Sequence, residues 1–450
     1  MSAVRRTNSE VARWRILAAC AVAMLAIANL QYAWTLFTPD LTKSLNAPLD
    51  EVQWAFTFFV IAQTGLFPIS AFLVDRFGPR IVVALASFLV GAGWVGAGFA
   101  KSLLVLYLFY GIGGLGTGAV YSACVGVAMK WFPERRGLCV GLVAGSYGFG
   151  TALTGLPIEH MIKASGYRSA FITWGIIQGI VVLLASMFLA MPPVGWLPAG
   201  WESIKAKVRR KVQQSSRDYT PREMLNSGAF YVLYLMMTLV TASGLMMTAQ
   251  LKPIAITYKF DGYVLFGGVT ILSLTLLLNQ VLNGSARPFF GWVSDHLGRY
   301  DTMAIVFVLE AVAITALTLT LSNPLWFVGL SGLMFFAWGD IYSLFPAAIA
   351  DIFGTRYSTT NYGIQYTAKG IGSILGGPGA AWLMAATGSW LPGFWTAVAC
   401  NVTAAALAVF WLKPKVTRLI NEQSSHEPAN DSKDAKVAVQ NDAVKVASVD

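Results

Sequence analysis

Apolar runs of about 20 residues recur along the chain from Ile16 to Leu412, each long enough to carry an α-helix across a bilayer. Nothing constrains the fold more. A lipid interior satisfies no backbone hydrogen bond, so only helices and closed barrels can span it. Twelve runs are centred near residues 26, 63, 90, 114, 148, 180, 239, 275, 311, 337, 374 and 402. The chain is 56% hydrophobic and only 12% charged, whereas a soluble domain carries about a quarter charged residues. Its 43 glycines fall largely inside the runs, where small residues let helices approach closely. The expectation is an all-α integral membrane protein with twelve transmembrane helices.

The net charge of +10 could suit a nucleic-acid partner, but its distribution points to a membrane instead. With a cytoplasmic N-terminus, 21 Lys and Arg lie in or near cytoplasmic segments and six in the opposite loops. Two more fall inside spans and three in the far C-terminal region. This asymmetry follows the positive-inside rule and places both termini in the cytoplasm of a multi-pass cell-membrane protein. The basic run "KAKVRRKVQQSSR" (205–217) then reads as a cytoplasmic loop near anionic lipid, and nucleic acid is not expected as a partner.

No cofactor, metal site or enzymatic centre is expected. The four cysteines, Cys20, Cys124, Cys139 and Cys400, lie in or at the ends of spans without a CxxC pair, as small hydrophobes do. "GIGGLGTG" (111–118) contains Gly-x-Gly-x-x-Gly, yet no strand precedes it, so helix packing is the better reading. Neither Gly-x-Ser-x-Gly nor His-Glu-x-x-His occurs, and the three histidines sit in loops, at helix ends or in the tail. The N-terminal "ILAACAVAMLAIANL" follows arginines as a signal peptide would, but eleven more spans follow it, so it reads as the first helix.

The chain divides near its middle. Residues 1–191 hold six spans, 192–228 form a cytoplasmic linker rich in Pro, Gly and charge, and 229–413 hold six more. Residues 414–450 read as a polar, disordered cytoplasmic tail. The halves echo each other. "LVDRFGPR" (73–80) follows span two and "VSDHLGRY" (293–300) follows span eight. Tyr121 of "VYSAC" corresponds to Tyr342 of "IYSLF", and "WFPERRG" to the region of "DIFGTRYSTTNYG". Three matches at one offset indicate parallel repeats, the plan of many secondary transporters.

The two loops resemble the signature of the major facilitator superfamily, which implies two six-helix halves. Asp75, Arg76, Gly78 and Arg80 fit the first copy, with Ala71 in place of a usual glycine and Pro79 in place of a basic residue. Gly291, Asp295, Gly298 and Arg299 fit the second, with His296 in place of the basic residue. An acid at a helix end beside a glycine turn can pair with a basic group or a helix terminus, so Asp75, Arg76, Gly78, Arg80, Asp295, Gly298 and Arg299 form a candidate cytoplasmic gate.

Four ionisable residues fall deep inside spans: Arg287, Glu310, Asp340 and Lys369. Each costs about 2.5–3.5 kcal/mol at the bilayer centre, which makes each a functional candidate. Arg287, Asp340 and Lys369 all lie near the midplane, roughly 12–16 Å of helix from the cytoplasmic side. Aromatics with polar tips share that depth, namely Tyr121, Tyr147, Trp338, Tyr342 and Tyr366, while Gln31, Tyr32, Trp34 and Gln53 lie nearer the outer side. Two cations with no obvious partner on their own helices, walled by phenols, suit a small anion. The competing reading makes both cations structural, paired with Asp340 and Glu310.

From "LQYAWTLF" (30–37) through span twelve the chain also resembles the oxalate/formate antiporter family, most clearly at "NGSARPFFGWVSDHLGRYDTM" (283–303), "FFAWGDIYSLFPAAIADIFGT" (335–355) and "NYGIQYTAKGIGSILGG" (361–377). In that family an arginine in helix eight and a lysine in helix eleven hold the two carboxylates of oxalate. The resemblance assigns those roles to Arg287 and Lys369, the aromatic box to Tyr32, Tyr121, Tyr147, Trp338 and Tyr342, and polar positions to Gln31 and Gln53. Two departures stand out. Tyr366 replaces a tryptophan and Asp340 a small residue, so Asp340 and Glu310 are expected to balance charge or couple transport.

These readings combine into a monomeric transporter of small carboxylates that works by alternating access between two halves. Exchange of the oxalate/formate type is the first expectation. The alternative couples a monocarboxylate to a proton carried by Asp340 or Glu310. A closed cavity holding two uncompensated cations resists reorientation, and a bound anion removes that resistance.

Overall fold

The computed structural model describes residues 2–132, 135–193, 196, 198, 215, 217–266, 269–354 and 356–418. Six helical rods make the N-terminal half. They are α1 (Ser2–Ile27, Asn29–Tyr32 and Trp34–Leu45), α2 (Leu49–Gly65 and Phe67–Phe77), α3 (Pro79–Gly98), α4 (Leu103–Trp131), α5 (136–165) and α6 (167–186). The last two run on as one element except at Gly166, whose φ of 83° turns the chain where a side chain would be strained. The C-terminal half has α7 (Gly228–Thr257), α8 (Ile271–Leu297), α9 (Arg299–Leu319) and α10 (Pro324–Trp338 and Ile341–Phe353). It ends with α11 (Ser358–Tyr366, Ala368–Ile374, Leu375–Gly379 and Ala380–Thr387) and α12 (Leu391–Arg418).

Among the described residues, eight helices pass for spans by length and apolarity alone, and the bent pair of α2 makes a ninth. The remaining three are explained by their sequence. One passing segment, Leu138–Ser186, is α5 and α6 joined across Gly166. The rod α8 carries Asn279, Gln280, Asn283 and Arg287 on its buried side, and α11 is cut into short pieces. The twelve-helix plan therefore stands. An antiparallel two-stranded ribbon in the α7–α8 connection, β1 (Val264–Phe266) with β2 (Val269–Thr270), is the only strand pairing among the described residues.

Helical structure continues through Arg418, five residues beyond the boundary expected at 413. The rest of the expected tail, and most of the linker from 194 to 214, lie outside the described residues. The linker's end, Pro221–Leu225, is a short helix with a reciprocal cap. The Thr220 amide donates to Glu223 at 2.8 Å, and the Glu223 amide donates to the Thr220 hydroxyl at 3.4 Å.

Glycine sets the packing. A Cβ on Gly114 or Gly118 of α4 would come within 2.3 Å of the Phe59 or Gln63 carbonyl on α2, and one on Gly116 within 2.8 Å of Ala86 on α3. The run at 111–118 is thus a helix-packing face. The halves meet by the same device, since a Cβ on Gly148 of α5 would stand 2.9 Å from the Gly284 Cα of α8.

Helix interruptions coincide with the polar centre of the molecule. Rod α1 breaks at Ala28 and Ala33, on either side of Gln31 and Tyr32. Rod α2 bends by 47° just past Gln63. Rod α10 breaks at Gly339 and Asp340, and α11 at Thr367, two residues before Lys369. Irregular backbone at membrane depth survives only where protein or a cavity surrounds it, so the breaks mark a lined interior. We call the face carrying the α2–α3 and α8–α9 turns the basic face.

Candidate functional site

Lys369 is fully buried at the start of the second piece of α11. Its ammonium donates across the half interface to Gln31 Oε1 and Gln63 Oε1, both at 2.8 Å, and to the Tyr366 hydroxyl at 3.4 Å. An ammonium has three donors, so each has an oxygen. The rings of Tyr366, Tyr342 and Tyr147 have their centroids 5.4, 5.5 and 6.0 Å away, within cation–π range.

Arg287 is 1% exposed, one residue before Pro288 of α8. Its Nη1 donates to the Ala144 carbonyl of α5 at 2.5 Å and Nη2 to the Tyr32 hydroxyl at 3.5 Å. The guanidinium lies over the Tyr342 ring at 4.4 Å, and its Nε–H has no acceptor. A donor left unsatisfied in a dry interior is costly, and a planar fork with spare donors is the geometry that receives a carboxylate.

The tyrosines close into a box around these cations. Tyr32 meets Tyr147 at 5.5 Å, Tyr147 meets Tyr121 at 5.4 Å, and Tyr121 stacks on Tyr366 at 5.9 Å. Tyr366 meets Tyr342 at 6.3 Å. Neutral amides fasten the box. Gln63 Nε2 donates to the Tyr147 hydroxyl, which donates to Gln31, both at 2.9 Å, and Asn283 donates to the Tyr32 hydroxyl at 3.1 Å.

Arg287, Lys369, Gln31, Tyr32, Tyr121, Tyr147, Tyr342 and Tyr366 therefore come together, with Gln31 and Tyr32 on the cations themselves and not nearer the outer side as their place in the chain suggested. Trp338 does not face the cations. It stands edge-on behind Tyr342 at 5.5 Å and occupies the space that the missing side chain of Gly244 leaves. Gln53 is elsewhere. It lies ten residues from Gln63 along α2, about 15 Å of helix, and its amide is engaged at the end far from the basic face. Gln53 accepts from Trp34 Nε1 at 2.8 Å and donates to Ala249 O and Gln250 Oε1, each at 3.0 Å, bridging the halves there. The same end is joined by the Lys252 ammonium on the Leu36 carbonyl at 2.7 Å.

The four intramembrane charges separate by sign. Among the described residues no ion pair joins Asp340 or Glu310 to Arg287 or Lys369, and neither Asp340 oxygen has a hydrogen-bond partner. Glu310 instead meets Ser243 of α7, which takes a hydrogen bond from Asn401 of α12 at 3.0 Å. Charge balance by an Asp340–cation pair is thus not what the fold builds. Asp340 sits in the α10 break, and no contact joins it to either cation among the described residues.

The loop signatures act within halves. Asp75 pairs with Lys130 of α4 at 2.6 Å, Arg76 lies 5.5 Å from the Phe77 ring, and Arg80 donates to the Met187 carbonyl at the end of α6. Arg299 pairs with Asp295 at 2.8 Å and with Asp351 of α10 at 3.1 Å. Gly78 and Gly298 supply the turns with φ of 82° and 93°. None of these contacts crosses between the halves, so the expected gate is, in this conformation, a clasp inside each half.

Sequence reasoning missed Gln63, Asn283 and Gln250. The signal was present for two of them. Asn283 precedes Arg287 by one helical turn and shares its face, and Gln63 is an amide in an otherwise apolar run.

A helical membrane protein with interrupted rods around two buried cations is the carrier class that the fold and site define. The model of the Major Facilitator Superfamily matches residues 19–284 and 265–444. The chain is 34% identical over 418 residues to the oxalate:formate antiporter of Oxalobacter formigenes, covering 92% of this chain and 95% of that one. The uncharacterized MFS-type transporter YhjX of Escherichia coli (strain K12) is 26% identical over 82% of this chain and 87% of its own. Monocarboxylate transporter 12-B of Danio rerio is more distant, 23% identical over 85% of this chain and 83% of its own. The chain belongs to the Major Facilitator Superfamily and, within it, to the oxalate/formate antiporter family.

Proposed function

We propose that this protein exchanges small carboxylate anions across the plasma membrane by alternating access, with Arg287 and Lys369 as the anion-binding cations. The observation that carries this reading is the pair itself, two buried cations boxed by tyrosines with no carboxylate partner among the described residues. Asp340 does not neutralise them, so the site keeps two positive charges and suits a dicarboxylate such as oxalate better than a monocarboxylate. Like charges in a low-dielectric interior repel, and a bound dianion removes that repulsion. Reorientation then follows anion binding, which yields exchange without a co-transported ion. The Lys and Arg distribution supports a cytoplasmic position for the basic face and both termini.

Counterflow in proteoliposomes tests the reading. Labelled oxalate should accumulate against an internal pool of unlabelled oxalate or formate, and should not accumulate in vesicles loaded with chloride alone. Equal accumulation without an internal carboxylate would refute exchange.

A further inference from the structure

Away from the tyrosine box, the C-terminal half buries a second set of polar groups. Glu310 of α9 and Asp340 of α10 are both fully buried, and the ionisable groups within electrostatic reach of Glu310 are Asp340 and, from α12, Cys400. Ser243 of α7 and Asn401 of α12 are its hydrogen-bonding neighbours, also buried. Three of the four carboxyl oxygens, Glu310 Oε2 and both of Asp340, are unpartnered, and so is Asn401 Oδ1. Among the described residues no lysine, arginine or histidine bonds either acid, and no group of side chains suited to a metal ion is present.

Hydrogen counting leaves room for a proton on Glu310. The Ser243 hydroxyl has one hydrogen but lies against two oxygens, the Val240 carbonyl at 2.8 Å and Glu310 Oε1, while Asn401 donates to it. If that hydrogen goes to Val240, the contact with Glu310 is a hydrogen bond only when Glu310 carries a proton and donates it. Two neighbouring ionised carboxylates without a counter-charge would also be a costly thing to bury. A narrow, mainly apolar groove with room for about 30 Å³ lies between α7, α11 and α12, and Ser243 and Cys400 form part of its wall beside Met246, Leu375 and Leu383.

We propose that Glu310 and Asp340 form a proton-binding site distinct from the anion site, and that its proton holds the α10 break in the shape that keeps Tyr342 against the cations. Asp340 occupies that break, and Tyr342, two residues on, lies under Arg287 and beside Lys369. Losing the proton would place charge in a dry pocket and draw water to the break, which would loosen the Tyr342 wall. No bond other than O–H is made or broken, and the proton exchanges with water. The proton site does not depend on which anion Arg287 and Lys369 bind, and its primary test is read without transport.

The test is infrared difference spectroscopy of the full-length protein in lipid, titrated from acidic to alkaline pH. Wild type should show the C=O band of a buried protonated carboxyl at neutral pH, shifted in deuterated water and lost at alkaline pH. Glu310→Gln and Asp340→Asn should each remove or shift that band, and exchange should fall at alkaline pH in wild type but not in the double variant. Should either variant fail to insert, Ser243→Ala keeps both acids and removes the partner of Glu310, so it should shift the band. No such band in wild type at neutral pH, or a band unmoved in all three variants, overturns the proposal. Absence of anion exchange with the band intact would overturn the function proposed above and leave the proton site standing.

Discussion

The N-terminal half brings Gln31, Tyr32, Gln63, Tyr121 and Tyr147 to the centre of the molecule, every one neutral, whereas the C-terminal half brings Arg287 and Lys369 and, beyond the box, Glu310 and Asp340. Two copies of one plan have thus divided the work. The neutral half presents oxygens and rings, and the charged half presents the groups that need them. Among the described residues the contacts named across the interface are hydrogen bonds, ring faces and glycine close packing, as between Lys369 and Gln31, Arg287 and the Ala144 carbonyl, or Gly148 and Gly284. Contacts inside each half include ion pairs at the basic face, Asp75 with Lys130 and Arg299 with Asp351. Rigid halves with a breakable seam between them are what rocking motion requires.

The division can be broken most severely at Lys369. Lys369→Gln should reduce exchange to background while the protein still inserts and elutes as a folded species. Near-normal counterflow in that variant would show that the charged half does not carry the anion.

Arg287→Lys comes next, because it keeps the charge and removes only the planar fork. Losing a charge-assisted bidentate contact is worth about 1.5–3 kcal/mol, roughly a tenfold to hundredfold loss of affinity. Affinity is read from ligand-induced thermal stabilisation, and an unchanged value would make Arg287 structural.

On the neutral side, Gln63→Ala removes one of the oxygens around Lys369 and the donor to Tyr147. The expected loss is about 1–3 kcal/mol of stability, with exchange retained at a reduced rate. If counterflow vanished as completely as with Lys369→Gln, the contrast between the halves would be wrong.

The smallest effect is expected at the exposed Asp75–Lys130 pair, whose side chains are 62% and 49% exposed. Asp75→Asn should lower thermal stability by less than about 1 kcal/mol and leave substrate affinity unchanged. A change in affinity would show that the clasp reaches the centre of the molecule.

Much of this was legible in the chain itself. Run length and apolarity report membrane spanning directly, because both are properties of a segment before it packs. The repeat was visible at the loop signatures, where a glycine turn demands particular residues, and the cations were visible because charge in an apolar run has few innocent explanations. Sequence distance also yields an expected depth, since each helical residue advances about 1.5 Å, and Arg287 and Lys369 do meet in one tyrosine box.

What depth cannot supply is azimuth across a broken helix. Each interruption re-aims the segment beyond it, and the breaks at Ala33, Leu66, Asp340 and Thr367 sit beside the residues in question. Only the tertiary structure could therefore turn Asp340 away from the cations towards Glu310, place Trp338 behind Tyr342, and bring Gln63 rather than Gln53 to Lys369. The physical reason is that a buried polar group goes where a partner or a cavity exists. In this chain the partners come from helices hundreds of residues away, as Gln31 is 338 residues from Lys369.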